Sequence, residues 1–78
     1  MNDIDLVNDP TYKFCKELFE SMTSETLRVT ASDRAKVLEY VKNNLKPEKM
    51  NDTEYIEALV DEMQKVAQEI LLKRSKDR

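Results

Sequence analysis

The residues best suited to acid–base or metal chemistry are carboxylates in the last third of the chain. They recur at helical spacing, which would bring them to one side of a helix. The set is Glu54, Glu57, Asp61 and Glu62. Catalytic carboxylate pairs need burial and contrasting surroundings to separate their pKa values, whereas these residues alternate with apolar ones, as on a solvated helix face. We therefore predict no catalytic residue and no metal ligand among them.

The residue types that the chain lacks exclude most other active sites. Its 78 residues include no His and no Gly. Without His there is no His-activated Ser or Cys nucleophile and no Glu-x-x-His ligand set of the di-iron bundles. Without Gly there is no phosphate-binding or dinucleotide-binding loop of the usual kinds. The sequence predicts a protein that is not an enzyme and that binds no cofactor.

One cysteine, Cys15, is the remaining reactive side chain. It falls on the apolar side of a predicted helix, beside Leu18 and Phe19, where burial would make the thiol inert. A single thiol is more typical of a reducing compartment than of a disulfide-stabilised secreted domain. The N-terminal residues lack the basic and apolar regions of a signal peptide, and no apolar run is long enough to cross a membrane. We expect a cytoplasmic protein.

Two short helices are predicted in the first part of the chain. Asp9 followed by Pro10 is typical of a helix start, and the first helix is predicted over 10–22. The second is predicted over 33–45, ending ahead of a proline. The β-branched segment 23–30 between them is predicted to be a connection, or at most one irregular turn.

A longer third helix is predicted over 52–74, where apolar residues recur at intervals of three and four. At a rise of 1.5 Å per residue it would measure roughly 34 Å, against roughly 20 Å for each of the others. We therefore predict an all-α fold: a small three-helix domain with two short helices packed on one long C-terminal helix. Two short helices would leave part of the long apolar stripe uncovered, so that dimerisation would complete the core.

The chain is short enough for a single domain. The sequence predicts a polar, flexible N-terminal segment over 1–9, the helical domain over 10–74 and a basic C-terminal tail over 75–78.

The uncovered stripe is the predicted binding surface. Its partner would be another protein, or a second copy of the chain in a homodimer. The predicted partner-binding residues are Ile56, Leu59, Met63, Val66, Ile70 and Leu71. This favours a small non-enzymatic protein-interaction module, acting as an adaptor, an inhibitor, or an assembly or regulatory factor. The high content of Lys, Asn, Asp and Glu is typical of a bacterial or phage protein.

The basic end of the chain suggests an alternative, a nucleic-acid-associated accessory or transcription-regulating protein. The residues that would contact nucleic acid are Lys73, Arg74, Lys76 and Arg78. Two observations weigh against it. The net charge of the chain is −3, and the third helix begins with acidic residues, which DNA phosphates would repel from a recognition helix. Cations at a helix C-terminus are moreover stabilised by the helix dipole and need no ligand.

Overall fold

The computed structural model describes residues 6–76, and this part of the chain consists of helices and short connections without a strand. The four α-helices are α1 (Pro10–Glu20), α2 (Ser24–Ser32), α3 (Arg34–Asn43) and α4 (Thr53–Lys76). Single turns of 3-10 helix lie at Leu6–Asn8 and Pro47–Lys49. The all-α class and the long C-terminal helix are confirmed.

The predicted flexible segment over 1–9 lies partly outside the described residues, which begin at Leu6. Within them, Leu6 packs against the core, so the segment is folded from this residue onward. Of the predicted basic tail over 75–78, residues 77 and 78 lie outside the described part, and α4 continues through Lys76.

The first helix begins where its sequence predicts. Asp9 is the N-cap of α1, and its Oδ1 accepts a hydrogen bond from the backbone N–H of Thr11 at 2.8 Å. Pro10 occupies the first helical position, where its missing N–H leaves no intrahelical bond unmade.

The segment 23–30, predicted to be a connection, instead belongs to α2 and its cap. Thr23 caps the helix, because its hydroxyl oxygen accepts a hydrogen bond from the N–H of Thr26 at 3.2 Å. β-branched residues disfavour a helix by roughly half a kcal/mol each, and burial of Leu27 in the core outweighs this cost. Thr30 is buried as well, and its hydroxyl is satisfied by donating to the Thr26 carbonyl at 2.9 Å.

A single residue separates α2 from α3. Asp33 is extended (φ −121°, ψ 99°), which ends α2, and its Oδ1 accepts from the N–H of Ala35 at 3.1 Å, which caps α3. Asp33 alone therefore connects the two helices.

The three shorter helices all pack against α4 and differ in their direction along it. α1 runs in the same direction as α4: its N-cap Asp9 bonds Tyr55 near the start of α4, and its last residue, Glu20, bonds Arg74 near the end. α2 and α3 run in the opposite direction. Ser24 opens α2 beside Arg74, and Arg34 opens α3 beside the middle of α4.

This arrangement explains how one chain covers most of the apolar stripe. α2 and α3 together contain 19 helical residues, 9 and 10, and so extend roughly 28 Å along one side of a helix that is roughly 36 Å long. α1 covers another side. The expectation of two covering helices is thus corrected to three, and most of the stripe finds its cover within the chain.

The chain lacks glycine, the residue that most often ends a helix in the left-handed conformation, and its described helices end without a left-handed residue. No described residue has a positive φ. At the end of α1, Ser21 keeps a right-handed conformation, and both its N–H and its hydroxyl donate to the Leu18 carbonyl.

Candidate functional site

The predicted partner-binding residues fall into two groups. Four of them are core residues with at most 7% of their surface exposed, namely Ile56, Leu59, Met63 and Val66. These four pack against the chain's own helices and leave little surface for a partner in this conformation, although Ile56 lines a surface depression near the start of α4. Ile70 and Leu71 are only partly buried, at the edge of the core.

The apolar surface of α4 is therefore confined to its last turns. Beyond Ile70 and Leu71, the next residue, Leu72, is 60% exposed. The apolar stripe of the sequence extends to Leu71 and Leu72, although Leu72 is not among the predicted partner-binding residues. The candidate site is thus shifted to the C-terminal end of α4.

At this end a cleft of about 490 Å³ opens between the start of α2 and the end of α4. We call it the C-terminal cleft. Its lining residues are Ser24, Arg28, Gln68, Leu71, Leu72, Arg74 and Ser75. The cleft combines two leucines with two arginines and small polar groups, and no carboxylate lines it.

Arg74 forms one wall of the cleft and ties three helices together. Its Nη2 donates to the backbone carbonyl of Glu20 at 2.9 Å, and its Nη1 donates to Oγ of Ser24 at 3.1 Å. The guanidinium is thereby held in one orientation, at the point where α4 passes the end of α1 and the start of α2.

This placement changes the picture of the basic end. Lys73 and Lys76 are exposed, as a nucleic-acid contact would require. Arg74 is half-buried and donates two hydrogen bonds within its own chain, so its guanidinium is held in place while Lys73 and Lys76 extend into solvent. Arg78 lies outside the described residues.

Of the seven lining residues only Leu71 and Arg74 were predicted as site residues, and Arg28 is the charged residue of the cleft that the sequence did not indicate. If 23–30 were a connection, the direction of the Arg28 side chain would be undefined. In a helix, Arg28 lies one turn after Ser24 and on the same face. The spacing of four between these residues was the available signal, and it acquires meaning only once α2 is known to be a helix.

The four carboxylates at helical spacing are not assembled into a site. Glu54, Glu57 and Asp61 are exposed, and Glu62 is half-buried. Among the residues from 6 to 76, no group of three or more potential ligands comes together that could hold a metal ion.

Asp61 has a structural partner instead. Its Oδ1 accepts a hydrogen bond from Nη1 of Arg34 at 2.6 Å, and the same nitrogen donates to Oε1 of Gln64 at 3.0 Å. The ion pair fastens the start of α3 to the middle of α4. Because both side chains are largely exposed, it contributes little to stability, about 1 kcal/mol or less.

Two buried groups near the start of α1 are held in their protonated forms. Burial, together with the charge of Asp9, raises the pKa of the Cys15 thiol to about 11. Burial and the hydrogen bond that Tyr55 donates to Asp9 at 2.6 Å raise the pKa of the tyrosine to about 12. The predicted burial of Cys15 in the core is confirmed, since its side chain is fully buried.

Comparison of the chain with protein-family models, with curated proteins and with solved structures gives no match. Over the described part of the chain, none of the helices combines the length and the apolar character needed to cross a membrane.

Proposed function

We propose that this protein is a small non-enzymatic interaction module, an adaptor, inhibitor or assembly factor of the cytoplasm, that contacts another protein through the C-terminal cleft. The single observation that carries the proposal is the position of Leu72. It is 60% exposed and lies beside the partly buried Leu71, with polar groups around both.

Apolar contacts enclosed by a polar rim are the usual anatomy of a protein–protein interface. The other large exposed apolar residues among those described are Phe14, Val29 and Met50. Phe14 lies on α1, Val29 on α2 and Met50 in the connection before α4, and single apolar residues on a surface are ordinary. The C-terminal cleft differs because two leucines share it with two arginines, side chains that are enriched at interfaces.

Selection of random peptides displayed on phage against the full chain tests the proposal. We expect enriched peptides whose binding is weakened about tenfold or more by Leu72→Ser, because an exposed leucine is the apolar contact that the cleft offers. Val29→Ser is the matched control: Val29 is 53% exposed and lies outside the cleft. Peptides that bind equally to wild type and Leu72→Ser would contradict the proposal.

A second copy of the chain is the other partner that the apolar end could take. Because most of the stripe is covered within one chain, we expect sedimentation velocity to show a monomer across a wide dilution series. A dimer that forms with concentration and is lost in Leu72→Ser would identify the second copy as the partner.

The nucleic-acid alternative retains one favourable observation. Arg28 of the C-terminal cleft adds a cation to the end of the molecule that carries Lys73 and Lys76. Binding of this kind would fall steeply with salt and would be weakened by the double variant Lys73→Gln with Lys76→Gln. If the protein instead binds another protein, as proposed above, we expect a labelled single-stranded oligonucleotide not to bind to it.

A further inference from the structure

We infer that the C-terminal cleft takes an acidic peptide segment of its partner protein, whose apolar side chain packs on Leu72 and whose carboxylate is bound by Arg28 and Arg74. The inference rests on the proposed function and adds to it the chemistry of the partner.

The charge of the cleft is the first argument. Its lining contains two arginines and no Asp or Glu. The neighbouring depression on α4 shares Gln68 with the cleft but is lined by both Asp61 and Glu69, with one lysine. Along one helix, therefore, only the end near residue 72 presents positive charge without compensating carboxylates in the same depression.

The state of the two arginines is the second argument. Arg74 is already oriented by its hydrogen bonds to Glu20 and Ser24, so ligand binding does not carry the entropic cost of ordering its side chain. Within the described residues, the Arg28 guanidinium has neither an ion pair nor a hydrogen bond. A guanidinium offers a planar pair of N–H groups, which matches the two oxygens of a carboxylate.

The leucines distinguish a peptide from a nucleic acid. A phosphate backbone would use the arginines and leave Leu71 and Leu72 without a function, whereas a peptide segment with neighbouring apolar and acidic side chains uses both halves of the cleft. The net charge of −3 also repels a polyanion more strongly than it repels a short acidic segment.

The test uses the peptides selected on phage against the full wild-type chain. We expect the enriched sequences to contain more Asp and Glu than the starting library. The most enriched peptide is then synthesised with a fluorescent label, together with a version in which each Asp or Glu is replaced by Asn or Gln. Binding of both peptides is measured by fluorescence anisotropy on wild type, Arg28→Gln and Lys42→Gln.

We expect Arg28→Gln to weaken binding of the acidic peptide about fivefold to tenfold, because a charge-assisted hydrogen bond is lost. Neutralising the peptide should have a similar effect, and the two changes together should cost less than the product of both, since they remove one interaction. Lys42→Gln removes an exposed cation from the last turn of α3, outside the cleft, and should leave the affinity unchanged. Arg28 is exposed, so its replacement leaves the core intact.

Other outcomes overturn the inference in distinguishable ways. Peptides without an acidic excess that bind Arg28→Gln normally but lose affinity for Leu72→Ser would leave the proposed function standing and remove the acidic ligand. Absence of any peptide that depends on Leu72 would contradict both. A labelled single-stranded oligonucleotide that binds wild type and loses affinity for Arg28→Gln would assign the arginines to phosphates.

Discussion

Asp9 connects the start of α1 to the start of α4 through its two carboxylate oxygens. One caps α1 at Thr11, and the other accepts the hydroxyl of Tyr55 at 2.6 Å. The sequence predicts the cap, because Asp before Pro is a local signal. It does not predict the bond to Tyr55, which lies 46 residues away and depends on how the helices pack.

Asp9→Ala should lower the free energy of unfolding by about 2 kcal/mol, since it removes both a cap and a partly buried hydrogen bond. Asp9→Asn keeps the cap but cannot accept from Tyr55 with its amide nitrogen, so we expect about half that loss, equal to the loss in Tyr55→Phe. Denaturant unfolding of the three variants measures this. If Asp9→Asn and Tyr55→Phe were additive in the double variant, the hydrogen bond would be contradicted.

Tyr55 should make the stability depend on pH at the alkaline end. Its pKa is raised to about 12 in the folded protein, whereas in the unfolded chain it is close to 10. The stabilisation is therefore complete below about pH 10 and is lost as the pH rises through about 12, because the unfolded state ionises first. Burial also raises the pKa of Tyr12, with the charges of Glu62 and Glu69 adding to the shift. The readout is consequently the difference between wild type and Tyr55→Phe.

Urea unfolding of both proteins at several pH values from about 9 to 11 supplies that difference. We expect the wild type to lose stability more steeply with rising pH than Tyr55→Phe. Parallel pH profiles would show that Tyr55 ionises alike in both states.

At the scale of elements, α2 is where local propensity and tertiary packing disagree. Its sequence contains two Thr, two Ser and one Val, residues of low helix propensity, and its apolar residues are too few to form a long periodic stripe. The helix exists because Leu27 is fully buried and because Thr23 and Asp33 cap or end it. α1, α3 and α4 contain more apolar residues at helical spacing and clearer boundary residues, so their existence was predictable.

Leu27→Ala should lower the free energy of unfolding by about 3 kcal/mol, because it leaves a cavity in the core beneath α2. Val29→Ala is the matched control on the same helix: Val29 is 53% exposed, and alanine favours a helix. We expect it to be within about 0.5 kcal/mol of wild type in denaturant unfolding. Equal losses in both variants would contradict the packing of α2.

At the scale of the whole molecule, the presence of α2 decides which surface can bind. With two covering helices, the stripe from Ile56 to Leu71 would be the binding surface. With three, the stripe residues Ile56, Leu59, Met63 and Val66 become core, and the stripe remains available mainly in the last turns of α4. The sequence thus predicts the stripe and its period, but the choice between core and surface depends on a helix that local patterns do not reveal.

The same dependence explains why the C-terminal cleft was not predicted as a unit. Leu71 and Arg74 were recognised separately, one as a partner contact and one as a nucleic-acid contact. Ser24 and Arg28 bring them into one site, since the start of α2 passes the end of α4. About 50 residues of sequence separate the two sides of the cleft.

The central claim is that the protein binds a partner at the C-terminal cleft, and the most direct test is a map of the contact in solution. Two-dimensional amide spectra of the isotope-labelled full chain are recorded while the most enriched selected peptide is added. We predict that the shift changes concentrate in 24–28 and 68–76, and that they disappear in Leu72→Ser. Changes centred on Phe14, on Val29 or on the Asp61 face of α4, with the cleft unaffected, would contradict the account.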